Sequence, residues 1–436
     1  MDPQLDHHHK IQWLLDRLTV PPEFARYDAI EEADTIAQLD EWKIRACDVL
    51  HELKKQLEED GGMKLCVEEQ GQVIAKVVAF ENEEPWAPEP ATKLSSDILA
   101  HFPDPSIPLL EHILATHVKP LFQSTPHPLL NASTGRTLPR PAGGPGARQD
   151  HYEGQEWKHH PGAAALVAWC VRHIPRDAYE RVWPLVVPPL MTLLDDYEAP
   201  HKLRGLRVLA AFLARVPPAL LRRTGLDALL FSSMKTTLTH LHNPATPALV
   251  RAAVPLALNL TELTTTPGSA ARFNQLCSLL GESIVGGIWL YAPNDRETVE
   301  ASLEVLPDVV RALRLGSVRY LKAMVPQLTH PLLADSFELA PFSTKHRVLA
   351  LRALQTVVRV CAPRMHRWKE AILEGVAKCW VVLWESDSVP EDDAVELKKS
   401  LQQTAKELAA ACPSVLTDEY PQFLAADAPI FSGLFG

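Results

Sequence analysis

The sequence of 436 residues carries 43 Lys and Arg residues against 54 Asp and Glu residues, which gives a formal net charge of −11. This acidic balance argues against general affinity for nucleic acids, because such binding depends on Lys and Arg side chains that neutralise phosphates. Hydrophobic residues make up 46% of the chain, which excludes a wholly disordered protein and allows two or three domains with a substantial core.

The composition predicts a chain of short helices. There are 37 prolines against 19 glycines, and prolines interrupt helices repeatedly. The seven cysteines occur singly and without a CxxC motif, which favours a reducing compartment. The first ten residues lack the basic start and apolar run of a secretory signal, and the longer apolar stretches fall short of the roughly 18 to 20 residues that cross a bilayer. We expect a soluble protein of the cytoplasm and nucleus, without a membrane partner.

The N-terminal region, residues 1–125, has mostly helical periodicity. Between residues 34 and 59 the apolar residues recur at steps of three to five, which predicts one long helix. We expect Gly61 and Gly62 to end this helix. Between residues 65 and 80 β-branched residues flank a Gln-Gly-Gln sequence, so a hairpin and a helix both fit the pattern.

A Gly- and Pro-rich segment separates this region from the rest of the chain. Residues 126–160 include the sequence Arg-Pro-Ala-Gly-Gly-Pro-Gly from Arg140 to Gly146, which has little apolar surface to bury. We therefore predict a flexible insertion over residues 126–160 and a second helical domain over residues 161–436.

After the insertion, amphipathic helices recur in pairs at intervals of about 40 to 50 residues. One helix of the first pair carries a single apolar stripe, formed by Leu203, Leu206, Ala210 and Leu213. Such a helix cannot bury its stripe alone, and stacking on neighbouring pairs buries it. The sequence therefore predicts an all-α fold, an α-solenoid of the HEAT or armadillo kind. The predicted pairs are 179–194 with 200–216, 229–241 with 248–263, 317–333 with 344–361, and 364–384 with 391–411.

The turn within the first pair is polar. Asp195 and Asp196 follow the first helix, and Lys202 lies early in the second. In HEAT repeats an Asp in this turn and a basic residue at this place can pair between neighbouring repeats. We therefore expect a structural role for Asp195, Asp196 and Lys202, with Asp196 and Lys202 contributing to a ladder of ion pairs.

No combination of residues indicates a reaction centre, a cofactor site or a metal site. Ser232 and Lys235 have the SxxK spacing of some serine hydrolases, but the companion motifs are missing. His112 and His117 are five residues apart, so on a helix they point in different directions and cannot share a tetrahedral metal ion without further ligands. We assign no catalytic, cofactor or metal residue and expect no enzyme. A hydrolase that uses Ser232 is the alternative, which labelling by a fluorophosphonate probe would reveal.

Residues 306–369, the basic block, contain eleven Lys and Arg residues against Asp308, Asp335 and Glu338. One interpretation is a groove that binds an acidic protein segment or nucleic acid. The other is the solvated face of amphipathic helices, in which some arginines pair between repeats. The candidate partner-binding residues are Arg314, Arg319, Tyr320, Arg347, Arg352 and Arg359.

Two stretches of the chain resemble a known family. Residues 193–197, followed after a gap by Lys202 and Gly205, are similar to the central motif of the second Tel-two-interacting protein family. Residues 313–321, which include Arg314, Arg319 and Tyr320, resemble the second marker of that family. The resemblance extends over about residues 160–385.

The resemblance implies a non-enzymatic helical-repeat scaffold without a cofactor. Members of the family are subunits of the TTT co-chaperone complex, with the first Tel-two-interacting protein, a large HEAT-repeat subunit, and Tel-two as partners. Together with the Hsp-ninety chaperone machinery, they support the maturation and stability of phosphatidylinositol-3-kinase-related kinases. We expect the same role for this chain, with an acidic-peptide- or nucleic-acid-binding solenoid as the alternative.

Overall fold

The computed structural model describes residues 3–59, 65–82, 84–124, 126–143, 151, 154–333, 342–385 and 391–435. Over these residues the chain is helical, with isolated β-bridges and no strand. No helix among them has the length and apolar character that crossing a membrane requires. The chain divides into two compact units, Met1–Ser233 and Met234–Gly436. The division into 1–125, 126–160 and 161–436 has other boundaries and stays a prediction.

The first unit is built from helices joined by short 3-10 and π-helical segments. The helices are α1 (Pro3–Arg17), α2 (Ala33–Glu59), α3 (Val67–Val77), α4 (Glu89–Leu99), α5 (Ile107–Ile113), α6 (Lys119–Phe122), α7 (Ala163–His173), α8 (Tyr179–Asp195), α9 (Ala199–Arg215) and α10 (Pro218–Thr224). The boundary between the two units falls within the next helix, α11 (Leu226–Thr237). Helix α2 packs on α4, α3 packs on α5, and α7, α8 and α9 pack on one another. The predicted stop at Gly61 and Gly62 lies outside the described residues.

Residues 65–80, for which a hairpin and a helix both fit the sequence, form helix α3 and a following 3-10 turn. A capping box starts the helix, in which the Glu69 carboxylate accepts the backbone N–H of Cys66 at 2.9 Å. Burial of one helix face outweighs the preference of β-branched residues for strands. The buried β-branched residues of α3 are Val73, Ile74 and Val77.

Helices α8 and α9 form the first predicted pair and are joined by a short turn, Asp196–Glu198. At Gly205 of α9 the backbones of the two helices lie close together. A Cβ atom there would lie 2.8 Å from the carbonyl carbon of Leu193 and from the backbone nitrogen of Leu194. The pair therefore packs backbone against backbone at this point, which a residue with a side chain does not allow.

Described residues of segment 126–160 are hydrogen-bonded to other parts of the first unit, whereas composition predicts a flexible insertion. The Thr137 hydroxyl donates to the Thr224 carbonyl of α10 at 2.9 Å, and the Trp183 indole of α8 donates to the Gly135 carbonyl at 3.0 Å. These hydrogen bonds offset the cost of ordering the chain, which composition alone does not reveal. Most of the Gly-Gly-Pro-Gly run lies outside the described residues.

The second unit contains helices that match most of the predicted pairs. They are α12 (Thr246–Thr264), α13 (Ala270–Cys277), α14 (Trp289–Tyr291), α15 (Arg296–Leu313), α16 (Leu321–Thr329), α17 (Thr344–Val360), α18 (Lys369–Glu385), α19 (Glu391–Ala411) and α20 (Tyr420–Phe431). A π-helical segment, Ser278–Ile288, joins α13 to α14, and a 3-10 segment, Arg314–Tyr320, joins α15 to α16.

The long helices of the second unit stack side by side in chain order. Helix α12 packs on α15, α15 packs on α17, and α17 packs on α19. Helices α16 and α18 contact each other and lie against α17 and α19, respectively, as a second layer. The apolar stripe of α17, formed by Leu351, Leu354, Val358 and the adjacent Cys361, is fully buried. Of the stripe predicted for α9, Leu206 and Leu213 are buried, Leu203 is half-buried and Ala210 is exposed. This stacking confirms the all-α solenoid fold predicted from the sequence.

The sequence prediction assigned no helix pair to residues 264–316, where the structure has α13, the π-helical segment and α15. Gly286 and Gly287 lower the helix propensity of the π-helical segment, and Pro307 interrupts the pattern of α15. Packing of α15 between α12 and α17 outweighs these local preferences. One repeat of the stack was therefore missed.

Replacement of Gly205 by alanine tests the close approach of α8 and α9. At an unhindered helix position Gly→Ala raises stability by roughly 0.5–1 kcal/mol, because alanine is the better helix former. At Gly205 the added methyl group meets the backbone of α8, so we expect Gly205→Ala to lower the free energy of unfolding by about 1–3 kcal/mol. Urea denaturation followed by circular dichroism measures the change.

The exposed residue Arg207, on the same helix, provides the control. Arg207→Ala should change the free energy of unfolding by less than about 0.5 kcal/mol. A rise in stability for Gly205→Ala would contradict the close backbone packing.

Candidate functional site: the central turn and the basic block

The central turn, residues 195–202, is organised around the buried carboxylate of Asp196, whose side chain is 1% exposed. One carboxylate oxygen accepts the backbone N–H of Glu198 at 2.8 Å, and the other lies 2.9 Å from Nζ of Lys158. The first contact supports the start of α9, and the second neutralises the buried charge. Lys158 also contacts the Glu198 carboxylate, at 2.7 Å.

Lys202 is fully buried within this pair of helices. Its ammonium group donates to the Leu194 carbonyl at 2.8 Å, in the last turn of α8. A cation at a helix C-terminus is favoured by the unpaired carbonyl groups there. Burial lowers the pKa of Lys202, and the carboxylates of Asp195 and Asp196 partly oppose this.

The expected ladder of Asp196 and Lys202 has a different form in the structure. Asp196 pairs with Lys158, and Lys202 binds a backbone carbonyl of its own helix pair. The carboxylates of Asp195 and Asp196 lie close enough to Lys202 to act on its pKa in the upward direction. Among the described residues, Lys202 forms no ion-pair contact with either aspartate. Both residues therefore make contacts within the turn and its own helix pair, and their structural role stays a prediction to be tested by mutation.

Asp195 anchors the preceding segment to the central turn through His127. Nε2 of His127 lies 2.9 Å from the Asp195 carboxylate, and the backbone N–H of Leu129 donates to Nδ1 at 3.2 Å. Because Nδ1 accepts, Nε2 carries the proton that is donated to Asp195. Burial raises the pKa of Asp195, but the hydrogen bonds from His127 and Ser233 and the positive charge of Lys202 oppose this, so the pKa lies below its ordinary value.

In the basic block, the arginines of α17 pair with carboxylates of the neighbouring helix α19. Arg352 contacts Glu396 at 2.6 Å, and Arg359 lies 3.6 Å from Glu407. Arg347 donates instead to the Pro331 carbonyl at 3.2 Å. Asp335 and Glu338, which were counted in the block, lie outside the described residues.

The same lateral pairing occurs between the other stacked helices. Arg251 of α12 contacts Glu304 of α15 at 2.5 Å, and Lys345 of α17 contacts Glu300 of α15 at 3.0 Å. These contacts and those of Arg352 and Arg359 match the second interpretation of the basic block, in which arginines pair between repeats. The partner-binding role of Arg347, Arg352 and Arg359 stays a prediction.

Arg314, Arg319 and Tyr320 lie at a different surface, beside the exposed ring of Phe273. The Arg319 guanidinium lies 5.6 Å from the Phe273 ring centre, and the Tyr320 hydroxyl donates to the Cys277 carbonyl at 3.1 Å. Arg314 has φ of 54° and ψ of −137°. This left-handed conformation is strained for a residue with a side chain.

Arg314 and Phe273 line a groove of about 1020 Å³, the Phe273 groove, whereas Arg319 and Tyr320 are not among its lining residues. Helix α12, the loop before α13, α13 itself and the end of α15 line it. Its apolar lining includes Leu258, Phe273, Leu276 and Leu313, and its charged lining consists of Glu262, Arg272, Asp308, Arg311 and Arg314. Phe273 is 41% exposed and the adjacent Leu315 is 60% exposed, so large apolar surface meets solvent here.

The structure shows the surroundings of the candidate catalytic and metal-binding residues considered from the sequence. Lys235, the candidate base of the SxxK spacing, contacts the Glu282 carboxylate at 2.6 Å. Within the described ranges no group of three or more His, Cys, Asp or Glu side chains could hold a metal ion. The rings of His112 and His117 lie 5.9 Å apart, edge to face.

Sequence reasoning missed the residues that complete these sites. His127 and Lys158 come from the segment that was expected to be flexible, and nothing in the local pattern connects them to Asp195 or Asp196. The carboxylate partners on α19 could have been found from the sequence. Glu396 follows Arg352, and Glu407 follows Arg359, by about one repeat length. Phe273 lies in the repeat that the sequence prediction missed.

Comparison with known proteins identifies a family. The family model described as the Tti2 family matches residues 73–340, which is more than half of the chain and includes both the central turn and the Phe273 groove. No curated protein matches the chain significantly.

Among solved structures, Kap121p in the crystal structure of Kap121p bound to Pho4p is 13% identical, with a TM-score of 0.48 over 97% of this chain. This chain spans only 36% of that protein. An engineered protein is 14% identical, with a TM-score of 0.36 over 98% of this chain and 87% of its own. Both scores are too low to support an argument about function.

Mutation of Asp196 tests its structural role in the central turn. Asp196→Ala removes the buried carboxylate that contacts the half-buried Lys158 ammonium and accepts the Glu198 N–H, so we expect the free energy of unfolding to fall by about 1–3 kcal/mol. Thermal and urea denaturation at neutral pH measure the loss.

Glu198→Ala is the matched control, because it removes the second, more exposed carboxylate from the same lysine. An exposed ion pair of this kind contributes about 0–1 kcal/mol. Equal losses in the two variants, or no loss in Asp196→Ala, would contradict the structural role.

Proposed function

We propose that this chain, which belongs to the Tti2 family, is a non-enzymatic scaffold subunit of the TTT complex. In this role it binds the first Tel-two-interacting protein, a large HEAT-repeat subunit, and through it Tel-two. The complex then acts with the Hsp-ninety chaperone machinery in the maturation and stability of phosphatidylinositol-3-kinase-related kinases. Family membership supports the subunit role, and the co-chaperone activity and the partners are the proposal.

The Phe273 groove is the observation that carries the binding part of this proposal. It lies within the residues matched by the family, and it combines exposed apolar surface with a charged rim. Interfaces between proteins are centred on aromatic and Arg side chains that are partly exposed in the free protein. The strained backbone of Arg314 at the edge of the groove is a further mark of a functional position.

The charges of the groove indicate which kind of segment it binds. Arg311 pairs with Asp308, and Arg272 donates to the Glu262 carbonyl and the Thr265 hydroxyl. Arg314 is exposed and forms no ion pair within the described residues, and Arg319 adds a second positive charge beside Phe273. We infer that the occupant is an amphipathic helix of the first Tel-two-interacting protein, with its apolar side on Phe273 and acidic residues facing Arg314 and Arg319.

The pairing of the α17 arginines disfavours the alternative function, a solenoid that binds nucleic acid through the basic block. Arg352 and Arg359 already face carboxylates of α19, so their charge is largely compensated. Nucleic-acid binding would require these arginines to leave those partners. The net charge of −11 adds repulsion of phosphates at longer range.

Replacement of Phe273 by aspartate tests the groove as the partner site. Tagged full-length protein is expressed in cells, and the co-purifying first Tel-two-interacting protein is quantified. We expect Phe273→Asp to lower the recovered amount at least tenfold, because a charge replaces the central apolar contact and adds repulsion toward an acidic helix. Tyr291→Asp, at an aromatic residue of the same unit that is 66% exposed, should leave recovery unchanged.

Arg314→Gly provides a second variant that folds at least as well as the parent, because glycine adopts positive φ without strain. It should weaken partner recovery while raising the melting temperature. Recovery of the partner with Phe273→Asp and Arg314→Gly equal to that with Tyr291→Asp would contradict the site.

Unchanged kinase levels in cells depleted of the protein would contradict the co-chaperone function.

A further inference from the structure

A crevice in the first unit has two basic side chains in its walls and a volume of about 270 Å³. Lys76 comes from α3, and His117 comes from a π-helical segment, Leu114–Val118, between α5 and α6. The other walls are the chain after α1 and residues 160–166, which lead into α7. We call this the Lys76 crevice. π-helical turns inside helices occur frequently at functional sites.

Lys76 is a half-buried ammonium group without a carboxylate partner in the described residues. Its Nζ donates to the Thr19 hydroxyl at 2.7 Å. Burial lowers the pKa of Lys76, and the charge of Asp16 only partly opposes this. Partial burial removes some of the water that stabilises an ammonium charge, so a nearby anion is favoured there. The Lys76 ammonium group has three hydrogens, of which the Thr19 hydroxyl accepts one, so two are available to a ligand.

His117 places a second unsatisfied group at the same crevice. Its Nε2 atom is buried and has no hydrogen-bond partner. Burial lowers the pKa of His117, and the charges of His112 and Lys76 lower it further. Buried polar atoms in native proteins nearly always have a partner, so this nitrogen has the capacity for one further hydrogen bond.

The surrounding side chains do not supply the missing negative charge. His160, which also lines the crevice, has its Nε2 atom 3.1 Å from the Glu156 carboxylate, so that carboxylate is already engaged. Asp16 is not among the lining residues. The crevice therefore has basic donors and hydroxyl groups without an acidic counterpart among the residues that line it.

We propose that the Lys76 crevice binds a small molecule that carries a phosphate group. The donors are the Lys76 ammonium, the His117 ring and the hydroxyls of Thr19 and Thr116, which suit the several oxygens of a phosphate better than the two of a carboxylate. Apolar residues, among them Val20, Leu121 and Leu166, line the rest of the crevice and would contact the remainder of the ligand. This site is separate from the Phe273 groove and does not depend on the TTT role.

Gly162 makes this geometry possible. Its φ is +92°, and a Cβ atom at this position would lie 2.6 Å from Cβ of Ala79. The chain that leads into α7 therefore lies directly against the end of α3 and forms one wall of the crevice. A residue with a side chain at position 162 would push this wall away from Lys76.

Calorimetric titration of the full chain tests the proposal with inorganic phosphate, pyrophosphate and glucose 6-phosphate as probes, at constant ionic strength. We expect saturable binding, with the sugar phosphate tighter than inorganic phosphate because it also contacts the apolar walls. Lys76→Met should weaken binding at least tenfold. Lys93→Met, at an exposed lysine of the same unit, should not change it.

The proposal would be overturned if no probe bound saturably, or if the Lys76→Met and Lys93→Met variants bound the sugar phosphate with equal affinity. Binding of inorganic phosphate without preference for the sugar phosphate would also overturn it, because that result indicates an inorganic anion site only. Lys76→Met removes a desolvated charge, so it should fold as well as the parent, and the melting temperature without ligand verifies this.

The ionisation of His117 gives an independent readout that a purely structural role would not change. A bound phosphate stabilises the protonated ring, so the ligand should raise the pKa of His117, observed by NMR of the labelled histidine ring carbons. The assignment comes from the signal that disappears in His117→Gln. An unchanged pKa of His117 at saturating ligand would also contradict the proposal.

Discussion

Each amphipathic helix of this chain depends on its neighbours to bury its apolar stripe. Leu351, Leu354 and Val358 of α17 are fully buried because α15 and α19 pack beside it. Burying one such side chain stabilises a protein by about 1.5–3 kcal/mol, whereas an exposed ion pair contributes about 0–1 kcal/mol. The stack is therefore held together by apolar packing, and lateral pairs such as Arg352 with Glu396 mainly fix which helix faces lie together.

This division of roles explains why the surface is suited to binding. Charged residues of the stacked helices are used in pairs with the next helix, so they do not converge on one reacting group. Where the stack is irregular, at α13 and the 3-10 segment after α15, the aromatic ring of Phe273 and the arginines beside it remain exposed. The same irregularity produces the strained Arg314, because α15 ends there and the chain turns sharply into the next segment. The proposed scaffold role requires an exposed surface of this kind.

The local periodicity of the sequence was enough to predict the fold class and most helix bounds, and not enough to predict contacts. The stripe of α17 and the limits of α8 and α9 follow from residues within a few turns of one another. Asp195 meets His127 across 68 residues, and Asp196 meets Lys158, which no local pattern encodes. Helix α15 was missed because Pro307 and the preceding glycines weaken its pattern, although tertiary packing holds it. The basic block looked like one charged surface because its acidic partners lie in other repeats.

Hydrogen exchange tests the central claim, that this stack of helices binds its partner through the surface around Phe273. Exchange is measured by mass spectrometry for the chain alone and in complex with the first Tel-two-interacting protein. The account predicts slower exchange on binding in peptides from α13 and from residues 308–320, and little change in α4 and α10. A stable complex with unchanged exchange in those two stretches would contradict it.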